Sequence, residues 1–181
     1  MSEINGVDLV NVRLVKESTL YYEKPITSAE DVVRFMADEL ALYDREVMCV
    51  LNLNTKGGVL NMNIVSMGTI NASLVSPREV FKASILSNAN SIIICHNHPS
   101  GVPTPSRDDI RLTQRLKEAG LIIGIELLDH VIVGGVTGKR FSFLQEGLMD
   151  SVNSKHHLEQ MARETPLPEK TSRKSKKGRC Y

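Results

Sequence analysis

The chain has 181 residues, a length that suggests one domain with terminal extensions rather than two full domains. Apolar residues make up 41% and charged residues 24%, which excludes a wholly disordered chain. No apolar run approaches the roughly 18–20 residues of a membrane helix, and the N-terminus lacks the residue order of a signal peptide. We therefore expect a cytoplasmic protein without membrane association. Three cysteines without paired spacing argue against a disulfide framework.

The formal net charge of +1 is unevenly distributed along the chain. Residues 165–181 contain six lysines and arginines but a single glutamate, together with prolines and serines. Such a composition predicts a disordered basic tail. Two interpretations stay open: nonspecific electrostatic contact with nucleic acid, or a solvated terminus with no dedicated partner.

Sequence patterns in the first 75 residues predict one helix, with one strand before it and three strands after it in the chain. Alternating apolar residues, a capping box (Thr27-x-x-Glu30) and a glycine turn mark the ends of these elements. The predicted elements are a strand at 10–14, a helix from the capping box to about residue 43, a buried strand at 46–54, its hairpin partner at 59–66 and a short strand at 70–75.

The rest of the chain predicts further helices and strands in alternation. Ser76, Pro77 and Glu79 form the pattern of a helix start, so a helix is expected from residue 76 onwards. The later helix at 107–119 is expected to stop at Gly120. Together these elements predict a mixed α/β fold with a partly antiparallel sheet. The remaining elements are expected at 91–95 (central strand), 107–119 (helix), 122–133 (strand), 140–143 (return strand) and 144–163 (final helix).

The segment that starts at His96 carries the pattern of a metal site. His96 and His98 are separated by one residue at the end of a strand, so they project from one face with Cα atoms about 6.5–7 Å apart. Asp108 and Asp109 follow after a loop rich in proline and glycine. Two imidazoles and one carboxylate would leave the fourth zinc position to water, as in catalytic sites.

Each of these residues also has a purely structural interpretation. The histidine pair can be hydrogen-bonded core or surface residues, and Ser106-x-x-Asp109 is also a capping box. Asp108 is expected to be a solvated carboxylate in the first helical turn. Cys95 should point to the opposite strand face from the histidines, and His130 is expected in the core or behind a ligand.

The segment from His96 to Asp109 (HNHPSGVPTPSRDD) matches H-x-H-P-x6-S-x2-D, the signature of the JAMM (MPN/JAB) metalloprotease superfamily. It resembles the bacterial RadC-like branch, and the similarity extends to DRE at 44–46 and to residues 68–73, 76–81 and 127–132. The resemblance covers about residues 27–145. It implies a single domain with the cytidine-deaminase-like JAMM fold at 27–146, after an N-terminal strand or extension at 1–26. A C-terminal helix at 147–164 and the basic tail at 165–181 would follow.

The resemblance also implies the roles of individual residues. His96, His98 and Asp109 would bind one zinc ion per chain, with water as the fourth ligand. Glu46 matches the family's upstream catalytic glutamate, and Ser106 matches the motif serine that helps to stabilise the oxyanion. Glu79 competes for the role of general base, but a helix-capping role already accounts for it.

Three functions follow from this resemblance. The first is a metallopeptidase or isopeptidase that cleaves an amide bond of a peptide or protein substrate with activated water. The second is a RadC-like interaction protein, associated with DNA repair or mobile elements, in which the metal is structural. Zinc-assisted cleavage of another bond, such as a phosphodiester, is the third. Full-length RadC-like proteins also carry a helix-hairpin-helix region, for which about 25 residues before the domain are too few. The oligomeric state is not predicted.

Overall fold

The computed structural model describes residues 10–21, 29–40, 43–68 and 75–149. They form a five-stranded mixed sheet with helices on both faces, which confirms the predicted α/β fold class. The elements in chain order are α1 (Ala29–Leu40), β1 (Glu46–Leu53), β2 (Val59–Gly68), α2 (Pro77–Leu86), β3 (Ser91–Asn97), α3 (Arg107–Ile123), β4 (Glu126–Val133), a short 3-10 helix (Gly135–Thr137) and β5 (Arg140–Ser142).

The strand order is β2-β1-β3-β4-β5, so β3 lies at the centre of the sheet. β1 runs antiparallel to both β2 and β3, whereas β3 and β4 are parallel and are connected through α3. The register pairs His96 with Met48 on one side and with Ile132 on the other. The C-terminal end of β3 therefore lies beside the start of β1 and the end of β4, and this junction positions the candidate site.

Two apolar clusters cover the two faces of the sheet, because successive strand residues point to opposite faces. Alternate residues of β1 and β3 pack against α2 and α3 on one face, and the intervening residues pack against α1 on the other. The first cluster includes Met48, Val50, Ile92, Ile94, Phe81, Leu112 and Leu116. The second includes Val47, Cys49, Leu51, Ile93, Cys95, Val32 and Met36.

Gly120 does not stop α3, as the sequence predicted. The helix continues through Gly120 to Ile123 and ends with Gly124 in the left-handed conformation, at φ 81°. A Cβ atom at Gly120 would lie 2.5 Å from the carbonyl oxygen of Ile125. The glycine therefore permits a close approach of the next segment to the helix, and the helix end depends on the second glycine.

Three further differences concern element ends. Residues 10–21 contain no strand, and Val10 and Val12 are 77% and 66% exposed, so the apolar alternation there packs against nothing in the described part of the chain. Residues 144–149 form turns instead of the start of a helix. β4 begins at Glu126, because the longer α3 occupies the preceding residues.

Several predictions fall on residues outside the described part of the chain. These are the helix cap at Thr27, most of the strand at 70–75, the rest of the C-terminal helix and the basic tail at 165–181. Within the described residues, no helix combines the length and the apolar composition that a membrane span requires.

Candidate metal centre

The two motif histidines lie at the end of the central strand. His96 is the penultimate residue of β3, and its side chain is 1% exposed; the side chain of His98 is 14% exposed. Their Nε2 atoms are 3.0 Å apart. The backbone N–H of His98 donates to the carbonyl of Val133 (2.8 Å), and its Nδ1 lies 2.8 Å from the carbonyl oxygen of Val102. Since a carbonyl only accepts, His98 carries a proton on Nδ1, and its Nε2 is the atom that faces His96 and Asp109.

Asp109 is both a capping residue and a neighbour of the two imidazoles. Ser106 is the N-cap of α3; its Oγ accepts from the Asp109 N–H (3.1 Å), and its own N–H donates to Asp109 Oδ2 (2.7 Å). Asp109 Oδ1 lies 3.3 Å from His96 Nε2, and Oδ2 lies 3.6 Å from His98 Nε2. The capping box thus fixes the carboxylate in the orientation that faces both histidines, and the two interpretations of Asp109 are compatible.

The ligand atoms of these three side chains lie close enough together to share one ion. Their ligand atoms lie within 4.8 Å of one another, and the closest contacts are 3.0, 3.3 and 3.6 Å. Ligand bonds of about 2.0–2.1 Å at tetrahedral angles place ligand atoms about 3.3 Å apart. His96, His98 and Asp109 can therefore hold a metal ion, with donor types that suit zinc.

The electrostatics of the three groups favour a bound cation. Burial raises the pKa of Asp109, but hydrogen bonds with His96 and His98 outweigh it, and the net pKa lies well below the usual range. The hydrogen bond with Asp109 raises the pKa of His98 against the opposing effect of burial. A carboxylate that stays ionised while buried requires a positive partner, which is either a proton on the imidazoles or a metal ion.

Glu46 lies on the same sheet face as the histidines. It is the first residue of β1, two residues before Met48, which pairs with His96. Strand alternation therefore directs Glu46, Met48 and His96 to one face, at the end of the sheet where His98 follows β3. After the hydrogen bond with Asp109, which has the largest effect, the negative charge of Glu46 is among the causes that raise the pKa of His98.

The competing acidic residues lie in different environments. Glu79 is exposed and binds Lys82 one turn later on α2, with 2.5 Å between the charged atoms. The predicted start of α2 is confirmed, with Ser76 at the N-cap and Pro77 in the first turn, but the Ser76 side chain makes no capping hydrogen bond, so Glu79 has no capping role through it. Asp108 is half exposed and lies 3.5 Å from Arg111, as expected for a carboxylate on the helix surface.

The loop between the histidines and α3 is fixed by close backbone contacts. Gly101 has φ +79°, and a Cβ atom on Gly134 would lie 2.6 Å from the Gly101 carbonyl oxygen. The hydroxyl oxygen of Thr137 lies 3.1 Å from the same carbonyl oxygen and 2.6 Å from that of Gly134. The glycine expected at the unusual turn therefore adopts the left-handed conformation, and it packs against the segment after β4.

Three residues support the site from behind or beside it. The sequence predicted a position for His130 but gave no role to Asn97 or Thr113. Asn97 is fully buried and bonds the backbone on both sides of Glu46. Thr113 and His130 form a hydrogen-bonded chain behind His96, which agrees with the expected place of His130. Thr113 follows Asp109 by four residues on one helix, so helical spacing gives a signal for it. Asn97 has no such signal.

The side chain of Cys95 points away from the metal site. It packs in the apolar cluster beneath α1, opposite the face that carries His96, and burial raises its pKa well above the usual range. Its register partner Cys49 is likewise buried, and burial raises the pKa of that thiol to about 12. Both behave as small apolar core residues, as strand alternation predicted.

Comparison with known proteins finds relatives that are about half identical to this chain over the matched residues. The chain is 50% identical over 121 residues to a UPF0758 protein of Clostridium perfringens, which covers 67% of this chain and 52% of that protein. It is 47% identical over 125 residues to a UPF0758 protein of Caldanaerobacter subterraneus subsp. tengcongensis, which covers 69% and 53% respectively. A UPF0758 protein of Halalkalibacterium halodurans is 53% identical over 112 residues, or 62% of this chain and 48% of the relative.

The chain thus spans about half the length of the curated relatives it matches. The names of these relatives state no activity. A family model described as "RadC-like JAB domain" matches residues 26–148, which include the whole sheet and the three candidate ligands. On this match, and on the sheet and site described above, the chain belongs to the RadC-like JAB domain family.

Proposed function

We propose that this protein is a zinc-dependent hydrolase that cleaves an amide bond, as a metallopeptidase or isopeptidase. The observation that carries the proposal is the convergence of His96, His98 and Asp109 at the spacing of a tetrahedral site. His98 is partly exposed, so a substrate can approach from its side. Zinc bound there would polarise a carbonyl group and lower the pKa of a coordinated water to about 7.

In this proposal Glu46 is the general base. Its carboxylate would accept a proton from the attacking water and return it to the nitrogen of the leaving amine. The strand register supports the assignment, because it places Glu46 on the sheet face of the ligands, and its charge is among the causes that raise the pKa of His98. Glu79 is held by Lys82 on the surface of α2 and has no comparable link to the ligands.

Ser106 is proposed to orient groups rather than to react. Its hydroxyl accepts the Asp109 N–H and its own N–H donates to the Asp109 carboxylate, so both polar groups serve the cap. A second role in stabilising an oxyanion would use the hydroxyl proton, which the cap leaves available, because the hydroxyl oxygen accepts the Asp109 N–H.

The test compares two pairs of variants in the full chain. Glu46→Gln should keep the zinc content of the wild type but abolish turnover of a peptide and isopeptide library, because the amide cannot accept a proton. Asp109→Ala should lose both zinc and turnover. The matched controls Glu79→Gln and Asp108→Ala change similar acids outside the site and should keep both properties. Wild-type turnover by Glu46→Gln would contradict the proposed base, and wild-type zinc in Asp109→Ala would contradict the metal site.

The alternative function, a nucleic-acid-associated protein with a structural metal, depends on the basic tail outside the described residues. It predicts that deletion of residues 170–181 weakens salt-sensitive nucleic-acid binding. It also predicts that Glu46→Gln changes no measurable property. The two variants therefore separate the alternatives in one set of experiments.

A further inference from the structure

A buried chain of hydrogen bonds runs behind the candidate metal site. His96 Nδ1 lies 2.8 Å from His130 Nε2, His130 Nδ1 lies 2.6 Å from the Thr113 hydroxyl oxygen, and that hydroxyl lies 2.6 Å from the backbone carbonyl of Asp109. All four residues are buried, with 0–4% exposure. The His130 ring also stacks on Phe143, with 4.8 Å between ring centroids. The chain therefore joins two candidate ligands through two side chains that do not contact the metal position.

The direction of these hydrogen bonds follows from the carbonyl at one end. The Asp109 carbonyl can only accept, so the single hydroxyl proton of Thr113 is donated to it. The Thr113 oxygen must then accept the proton of His130 Nδ1. A neutral imidazole with its proton on Nδ1 has a lone pair on Nε2, and this lone pair accepts from His96 Nδ1–H.

The lone pair of His96 is consequently on Nε2, the atom that faces His98 and Asp109. His98 reaches the same state through a different acceptor, the Val102 carbonyl. When both imidazoles are neutral, their Nε2 lone pairs lie 3.0 Å apart and face the same position, where a bound cation stabilises them. When no cation is bound, a proton on Nε2 takes its place and is donated to Asp109.

We propose that Thr113 and His130 are positioning residues that hold His96 in the Nδ1–H tautomer and so prepare its Nε2 to bind the metal. This inference rests on the proposed metal site and adds the residues that set its tautomer. Without the Thr113 hydroxyl, His130 can carry its proton on Nε2 and donate it to His96 Nδ1. His96 then carries its own proton on Nε2, where it blocks coordination; the number of protons is the same in both arrangements.

The test uses Thr113→Val, which removes the hydroxyl at similar size, and Thr113→Ser, which keeps it. With zinc ions as the only ligand, titrated against a chelator, Thr113→Val should bind about 10–100-fold more weakly than the wild type, the range typical for lost partners of metal ligands. Thr113→Ser should restore binding to within about threefold, since the hydroxyl returns. Long-range 15N–1H NMR of the metal-free proteins should show His96 protonated on Nδ1 in the wild type and Thr113→Ser, and a mixture of tautomers in Thr113→Val.

A second variant covers the case in which Thr113→Val does not fold. His130→Phe keeps a ring against Phe143 but removes both nitrogen atoms, and it should weaken zinc binding to a similar degree. Wild-type affinity in Thr113→Val or His130→Phe, or metal-free wild-type His96 without a proton on Nδ1, would overturn the inference. If Asp109→Ala loses zinc while these variants keep it, only this inference fails. If the wild-type protein binds no zinc, the proposed function fails with it.

Discussion

Asn97 connects the fold to the site, and its replacement by alanine is a demanding test of that connection. The residue is fully buried at the end of β3. Its Oδ1 accepts from the N–H of Val47 (2.7 Å), and its Nδ2 donates to the carbonyl of Arg45 (3.0 Å). The two hydrogen bonds hold the backbone on both sides of Glu46, so Asn97 fixes where the proposed base begins its strand.

The expected loss of stability follows from these two bonds. Asn97→Ala leaves the buried N–H of Val47 without an acceptor, at a cost of about 1–3 kcal/mol. The hydrogen bond to the Arg45 carbonyl adds about 0.5–1.5 kcal/mol, part of which water restores because Arg45 is exposed. We therefore expect the free energy of unfolding to fall by about 1–4 kcal/mol.

The assay is urea denaturation of the metal-free protein, together with hydrogen exchange of the Val47 amide. Zinc affinity should stay within about threefold of the wild type, because Asn97 alternates with His96 and points to the opposite sheet face. Asp108→Ala is a suitable control: it removes only an exposed contact with Arg111 on the surface of α3, and it should change the free energy of unfolding by less than about 1 kcal/mol. An unfolding free energy for Asn97→Ala within about 0.5 kcal/mol of the wild type, with unchanged Val47 exchange, would refute the reasoning.

Three further predictions test the core and the charge balance of the site. Cys49 and Cys95 should resist Ellman's reagent in the native protein and react after unfolding, because burial raises the pKa of both thiols; rapid native labelling would contradict this. Gly120→Ala should lower the free energy of unfolding by more than about 2 kcal/mol in denaturation experiments, since its Cβ would meet the Ile125 carbonyl oxygen; wild-type stability would exclude this close packing. The raised pKa of His98 means that its ring becomes protonated as the pH falls, so zinc affinity in calorimetry should decrease towards pH 5; an affinity that rises on acidification would contradict the assigned ligand.

Local patterns in the sequence predicted the parts of the fold that depend on local physics. Short apolar runs predicted strands β1 and β3, and both are buried in the middle of the sheet. The start of α3 followed from its capping box, which the structure confirms at Ser106 and Asp109. The alternation of Val10 and Val12 was misleading, because it has the period of a strand but pairs with nothing among the described residues.

What the sequence could not provide were contacts between segments distant in the chain. In the sequence, Gly120 has the pattern of a helix end. The structure shows that the glycine is needed because the Ile125 carbonyl packs against the helix at this position. Asn97 meets Val47 across 50 residues of sequence, and no local pattern signals this. The metal motif could be identified because its spacing carries chemical information. The partners that orient its ligands depend on tertiary packing and required the structure.

We propose that two imidazoles and one carboxylate of this chain bind a single zinc ion. The most direct measurement is X-ray absorption of the full chain after zinc loading and removal of excess metal, with Asp108→Ala and Asp109→Ala in parallel. We expect one zinc per chain with two imidazole ligands from His96 and His98 and oxygen ligands at about 2.0–2.1 Å, unchanged in Asp108→Ala and lost in Asp109→Ala. A wild-type protein that retains no zinc, or an Asp109→Ala protein with an unaltered spectrum, would contradict the account.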